Sequence, residues 1–200
     1  MEVILASGNR GKLAELTELL AGLPLTLRAQ SEFGVEAADE SGLSFVENAI
    51  IKARHACAAT GLPAIADDSG LVVPALGGAP GVLSARYAGS TANDAENLAK
   101  LLRALDGVPA AARACSFVCV MVFLRHAADP LPLVATGQWP GRALATPRGT
   151  RGFGYDPIFL GVGERVSAAE MPSADKNARS HRGQAVSALV GLLTAELGPR

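Results

Sequence analysis

Ala114-Cys115-Ser116-Phe117-Val118-Cys119-Val120-Met121-Val122-Phe123-Leu124 is the stretch from which the fold can be read. It carries no charge, and its valines and two phenylalanines are residues that favour strands. It is far too short for the roughly 20 apolar residues of a membrane helix. It therefore reads as a buried strand. His126 to Pro132 has the polarity and prolines of a connection, so Pro132 to Gln138 is expected to form the neighbouring strand. Beyond it, Gly183 to Leu197 closes the chain as an amphipathic helix marked by Val186, Leu189, Val190 and Leu193.

Upstream, helical and strand patterns alternate. Glu2 to Ala6 suits a first buried strand, and Leu23 to Ala29 a second. Between them lies a helix with Leu13, Leu16, Leu19 and Leu20 on one side. Ser44 stands three residues before Glu47, and Asn93 three before Glu96, spacings that cap helix starts reciprocally. Val46, Ala49, Ile50, Ala53 and Cys57 give the first of these helices its apolar stripe. Leu98, Leu101, Leu102 and Leu105 do the same for the second. Ala64-Ile65-Ala66 is expected to be a short strand that delivers Asp67-Asp68-Ser69-Gly70 at its exit. Alternation of this kind predicts an α/β fold, with an antiparallel or mixed portion contributed by the long middle strands.

Two hundred residues, 49% of them hydrophobic, suffice for one α/β domain with a smaller lobe. A net charge of -1 provides no whole-protein field toward nucleic acid or anionic membrane, which argues against stable partners of either kind. The start, Met1 to Ala6, lacks a basic leader, and a cytoplasmic location is expected. If Cys115 and Cys119 share a strand they lie about 13 Å apart, too far for a disulfide. Together with Cys57 they read as small buried thiols.

Three clusters carry chemistry. Ser7-Gly8-Asn9-Arg10-Gly11-Lys12 joins a strand to a helix. Its glycines let backbone approach a ligand, and the helix start offers N–H groups to an anion. Asp67 and Asp68 follow an apolar strand, where adjacent acids are costly unless solvent, basic groups or a cation satisfy them. If both sat on a strand they would point to opposite faces and need not reach one metal. An Asx-turn is the structural alternative for at least one. Glu36, Asp39, Glu40 and Glu47 form a second acidic zone, read either as solvated loop or as hard oxygen ligands suited to magnesium. The third cluster is Phe153-Gly154-Tyr155-Asp156-Pro157 with Lys176 and Ser180-His181-Arg182-Gly183. Phe153 can stack on a base or fill a core, and Lys176, His181 and Arg182 are hydrogen-bond donors. Residue types alone reach an anion-binding α/β protein.

Taken together and in this order, the segments resemble the inosine/xanthosine triphosphate pyrophosphatase family. The resemblance runs from Glu2 to about Leu197. It rests on Ser7 to Lys12, Phe45-Val46-Glu47-Asn48-Ala49, Ala66 to Leu71, Gly78-Ala79-Pro80-Gly81 with Ser84-Ala85-Arg86-Tyr87, Gly152 to Phe159, and Ser180 to Gly183. It implies a single two-lobed domain over 1–200, a mixed sheet with two lobes around a central nucleotide-binding cleft, and commonly a homodimer. It implies triphosphate contacts by Ser7, Gly8, Asn9, Gly11 and Lys12, with Arg10 among them at a position the family varies. Ser7 stands where the family usually has Thr and keeps the hydroxyl. Lys52 and Ser69 also fall toward phosphate. Glu40 and Asp68 match acidic positions associated with Mg2+, Asp68 being the key carboxylate and base. Phe153, Gly154, Tyr155 and Asp156 match the nucleoside-binding segment, and Lys176, His181 and Arg182 the base-recognition positions. The implied reaction converts ITP, dITP or XTP to the monophosphate and pyrophosphate, keeping aberrant bases out of nucleic acid. Two other readings make different predictions: a related pyrophosphatase acting on modified pyrimidine triphosphates, and a nucleotide-binding regulator without turnover.

Overall fold

Strand propensity and burial together place the elements. A computed structural model of the protein describes residues 1–7 and 10–197, with positions 10–12, 14 and 15 described by backbone alone. The first half of the chain forms β1 (Glu2–Leu5), α1 (Arg10–Leu19), β2 (Thr26–Ala29), α2 (Phe45–Thr60), β3 (Ala64–Val72) and α3 (Asp94–Ala104). The second half forms β4 (Ala114–Leu124), β5 (Leu133–Ala143), β6 (Phe159–Gly161), α4 (Ser173–Arg179) and α5 (His181–Leu197).

β4 has the bounds that the sequence predicts, and every side chain from Phe117 to Leu124 is buried. The six strands are hydrogen-bonded in the order β2-β1-β3-β4-β5-β6. β1 runs parallel to β2 and β3, while β5 and β6 pair antiparallel, so the sheet is mixed and the fold is α/β as expected. No helix among the described residues is long and apolar enough to cross a membrane.

Four expectations need correction. β2 covers only Thr26–Ala29, not Leu23 to Ala29. β3 does not stop at Ala66 but continues through Asp67, Asp68, Ser69 and Gly70 to Val72, so neither acid sits in an Asx-turn. β5 extends past Gln138 to Ala143. Leu19 is exposed, because α1 ends there and only Leu16 and Leu20 reach full burial, with Leu13 partly buried.

The chain divides into two compact units. The first gathers Met1–Asp68, Cys119–Gly137 and the chain from Gln184 onward. Its core packs Val3 and Leu5 of β1, Leu16 and Leu20, Met121 and Phe123 of β4, and Val186, Leu189 and Leu193 of α5. The second holds Ser69–Val118 and Gln138–Gly183. Its core is built on Leu101 and Leu105 around an aromatic group, with Phe159 set 4.6 Å from Phe117 and 4.8 Å from Trp139 between ring centres. Both predicted capping spacings are formed. The Ser44 hydroxyl accepts from the Glu47 N–H, and Asn93 and Glu96 cap each other's backbone. Burial pushes the Cys57 and Cys115 thiols up to about 11 and about 12, so both stay protonated and unreactive.

In the first unit the turn after β4 is secured by Asp129, which is 2% exposed. It accepts from the Arg125 N–H at 3.0 Å, the Leu131 N–H at 2.9 Å and the Arg125 guanidinium at 2.8 Å. Burial alone would raise this carboxyl, but those donors outweigh it and hold it at about 2. A folded-state value below the ordinary 3.8 stabilises the protein above that ordinary value and is lost as pH falls through about 2. Asp129→Asn is therefore expected to lose about 2 kcal/mol at neutral pH and to flatten the fall in stability between about pH 4 and pH 2. Urea titrations across that range check both.

Candidate active site

α2 organises the acidic half of the site. Its start is fixed by Glu47, whose carboxylate accepts from the Ser44 hydroxyl at 2.7 Å and the Leu43 N–H at 3.0 Å. From there Asn48, Lys52 and His55 recur at helical spacing and share one face. Asn48 is fully buried. Its carbonyl oxygen accepts from the Gly42 N–H at 2.8 Å, and its amide donates to Asp68 at 3.3 Å. The Lys52 ammonium donates to Asp68 at 3.0 Å and to Glu40 at 3.1 Å. His55 Nε2 lies 3.0 Å from the Glu36 carbonyl oxygen; a carbonyl only accepts, so that nitrogen carries the proton. The helix thus holds residues 36–42 at three points and couples two of them to β3. Gly42 is obligatory here, because a Cβ would stand 2.6 Å from the Glu47 side chain and 2.7 Å from Asn48 Oδ1.

Burial and charge set the state of these groups. Asp68 is 8% exposed. Burial raises its carboxyl above the ordinary value; the Lys52 ammonium pulls the other way without cancelling that rise, and Glu40 adds to it. Burial opposes the Lys52 charge, yet Asp68 and Glu40 together hold its pKa above that of an ordinary lysine. Asp67, one residue before Asp68 on β3, is also buried. It lines a polar cavity of about 200 Å3 with Ser7, Gln30, Glu40 and Lys52. Gly8 and Asn9 lie outside the described residues, as do the side chains of Arg10 and Lys12. The backbone of Arg10, Gly11 and Lys12 forms the first turn of α1, whose N–H groups have no acceptor within the helix. Ser69 follows Asp68 on β3 and is half-buried.

The second unit presents a different chemistry. Phe153 is 59% exposed, whereas Tyr155 and Asp156 are buried. Tyr155 donates its hydroxyl to the Ser84 carbonyl at 2.8 Å, and burial drives its pKa far above the phenol range. Asp156 accepts from the Phe153 N–H at 2.9 Å and from the Lys176 ammonium. Gly152, at φ 75, has no room for a side chain, since a Cβ would fall 2.0 Å from Asp156 Oδ2. Lys176 Nζ stands 5.0 Å, and the Arg182 guanidinium 5.7 Å, from the centre of the Phe153 ring. His181 is buried and stacks on Phe117 at 4.8 Å and 10° between planes, which fixes its ring. Arg182 Nε is buried with no hydrogen-bond partner among the described residues. An exposed ring flanked by donors can receive a planar, acceptor-rich ligand.

Lys52, Glu40 and Asp68 are thus brought together in one unit, and Phe153, Asp156, Lys176 and Arg182 in the other. The sequence reading assigned no role to Asn48, His55 or Gln30. For Asn48 and His55 a signal existed in their spacing with Lys52 on a capped helix. For Gln30 there was none.

The sequence profile of the Ham1 family matches residues 3–192. A dITP/XTP pyrophosphatase of Yersinia pseudotuberculosis is 57% identical over 96% of this chain and 98% of its own length. The structure of a HAM1 protein from Coxiella burnetii has a TM-score of 0.94 and 51% identity, covering 98% of this chain and 99% of that one. The Ham1 protein of Staphylococcus aureus has a TM-score of 0.90 and 36% identity, covering 98% of this chain and 100% of that one.

Proposed function

The chain belongs to the Ham1 family, and on that premise we propose that it hydrolyses dITP, ITP and XTP to the monophosphate and pyrophosphate. The observation that carries this reading is the buried Asp68, raised in pKa and held by Lys52 beside Glu40. A carboxylate made more basic by burial accepts a proton better than one in water.

In the proposed step a water oxygen bonds to the α-phosphorus, and the bond from that phosphorus to the β-bridging oxygen breaks. Asp68 takes the proton and pyrophosphate leaves. Lys52 compensates charge on Asp68 throughout, and Asn48 keeps the carboxylate oriented. Ser7 and the positions from Gly8 to Lys12, with Lys52 and Ser69, are assigned to the triphosphate. The open N–H groups of a helix start support that assignment. Glu40 and Asp68, two hard carboxylates that converge on the Lys52 ammonium, would be the residues to hold Mg2+. When bound, the ion supplies charge neutralisation on the phosphates.

Base selection is assigned to the second unit. Hypoxanthine and xanthine carry a 6-carbonyl acceptor where adenine carries an amino donor. Lys176 and Arg182 offer only donors, and the unpartnered Arg182 Nε supports a missing acceptor. His181, Gly154 and Tyr155 complete the segment, His181 through its fixed ring. A homodimer and a cytoplasmic location accompany this reading; the dimer is carried by the resemblance and would sediment at about twice the 20.4 kDa chain mass.

One assay tests the function. Purified protein is offered ITP, dITP, XTP, GTP, ATP and modified pyrimidine triphosphates with and without Mg2+, and both products are identified. Pyrophosphate and monophosphate are expected from ITP, dITP and XTP only with metal. ATP should be turned over at least about tenfold more slowly, the equivalent of one buried donor left facing a donor. Equal turnover of ATP and ITP, or stepwise release of orthophosphate, overturns the reading.

A further inference from the structure

The loop that presents Phe153 is tied at two consecutive amides. Asp156, from within the segment, accepts the Phe153 N–H at 2.9 Å. The next amide, Gly154, donates at 2.8 Å to Asp94, a residue 60 positions earlier in the chain. Gly154 adopts φ 58, a conformation that side chains resist, so the turn is not held by its own steric preferences. Asp94 is the first residue of α3, directly after the Asn93 cap. Its acceptor atom is a carboxylate oxygen. That makes its bond to Gly154 charge-assisted.

We propose that Asp94 is a positioning residue for base selection: it anchors the Phe153–Gly154 turn to α3 and so fixes the ring against Lys176 and Arg182. The inference rests on the substrate reading above. Asp156 restrains one side of the turn and Lys176 with it, so loss of Asp94 frees Gly154 and the far side of the ring. Phe153 is 59% exposed, so packing alone does not set the angle of its ring. Its distances of 5.0 Å to Lys176 Nζ and 5.7 Å to the Arg182 guanidinium depend on that angle. The bond that Asp94 makes here is to the loop backbone.

Comparison of Asp94→Ala with Asp94→Asn tests this. Both variants lose the charge at the helix start and share whatever that costs α3. Only the alanine variant loses the acceptor. For Asp94→Ala, KM for ITP is expected to rise about tenfold with kcat within about twofold, the pattern of lost binding common to ground and transition states. Asp94→Asn is expected to stay within about twofold of the parent in both. Hydrogen exchange at the Gly154 amide supplies a readout that does not need turnover. It should quicken in the alanine variant and stay slow in the asparagine variant.

Equal KM values for the parent and alanine enzymes, or equal losses in both variants, overturn the proposal. So does unchanged Gly154 exchange in the alanine variant. If the parent enzyme itself fails to hydrolyse ITP, the functional reading falls and this role in selection falls with it. That outcome is separate from one in which the parent is active and the two variants do not differ.

Discussion

Asp68→Asn is expected to lower kcat for ITP by about 10²–10⁴-fold, the range for loss of a general base. The amide preserves the shape of the carboxylate and can still accept from Lys52, but it cannot take a proton from water. Binding of ITP should remain within several-fold of the parent. The folded protein should not suffer. Removing one partner of a buried ion pair is costly when the other is left uncompensated. Here Lys52 keeps Glu40 at 3.1 Å. A carboxyl whose folded pKa is raised adds stability at low pH and forfeits it as pH rises through that value. Without metal, the amide should therefore melt no lower than the parent near neutral pH. Single-turnover kinetics and a thermal melt on one preparation check the two halves. Near-parental turnover would remove Asp68 from the chemistry.

Asp156→Ala should act in the opposite way, through the fold. Asp156 is 3% exposed and is the partner of the Lys176 ammonium and of the Phe153 N–H. Its removal leaves a poorly solvated cation and an unpaired amide, and should cost about 3–5 kcal/mol. For a chain of this length that is a fall in Tm of roughly 10 °C. The double variant Asp156→Ala/Lys176→Met should recover part of the loss, because the stranded charge is then gone. A double variant no more stable than Asp156→Ala would show that the ion pair is not where the cost arises.

Much of the architecture follows from local rules. Ser44 with Glu47 and Asn93 with Glu96 mark helix starts because capping acts over three residues. β4 keeps its predicted bounds because an uncharged run ends at a charged residue on each side, Arg113 before it and Arg125 after it. β3 was misread for a reason that is physical. Asp67-Asp68-Ser69-Gly70 has the composition of a turn, and Asp68 is made tolerable inside a strand by Lys52 and Asn48, which both donate to it. Lys52 comes from 16 residues upstream of Asp68, a proximity that no local pattern contains. The same limit applies to Asp94, which reads as an ordinary first-turn acid of α3 until Gly154 is set beside it. His181 reads in the sequence as a hydrogen-bond donor, and its stacking on Phe117 depends on two segments 64 positions apart (117 to 181).

The three contacts made by one face of α2 set a rule about chain length. Asn48, Lys52 and His55 hold Gly42, Glu40 and Glu36 only while they keep a common helical phase. One residue inserted after Asn48 would swing both later side chains through about 100°. The bonds to Glu40, Asp68 and Glu36 would then part at once, although no functional residue had been changed. Substitutions at exposed positions of this helix such as Arg54 and Ala58 can be absorbed one by one, whereas single-residue insertions and deletions cannot.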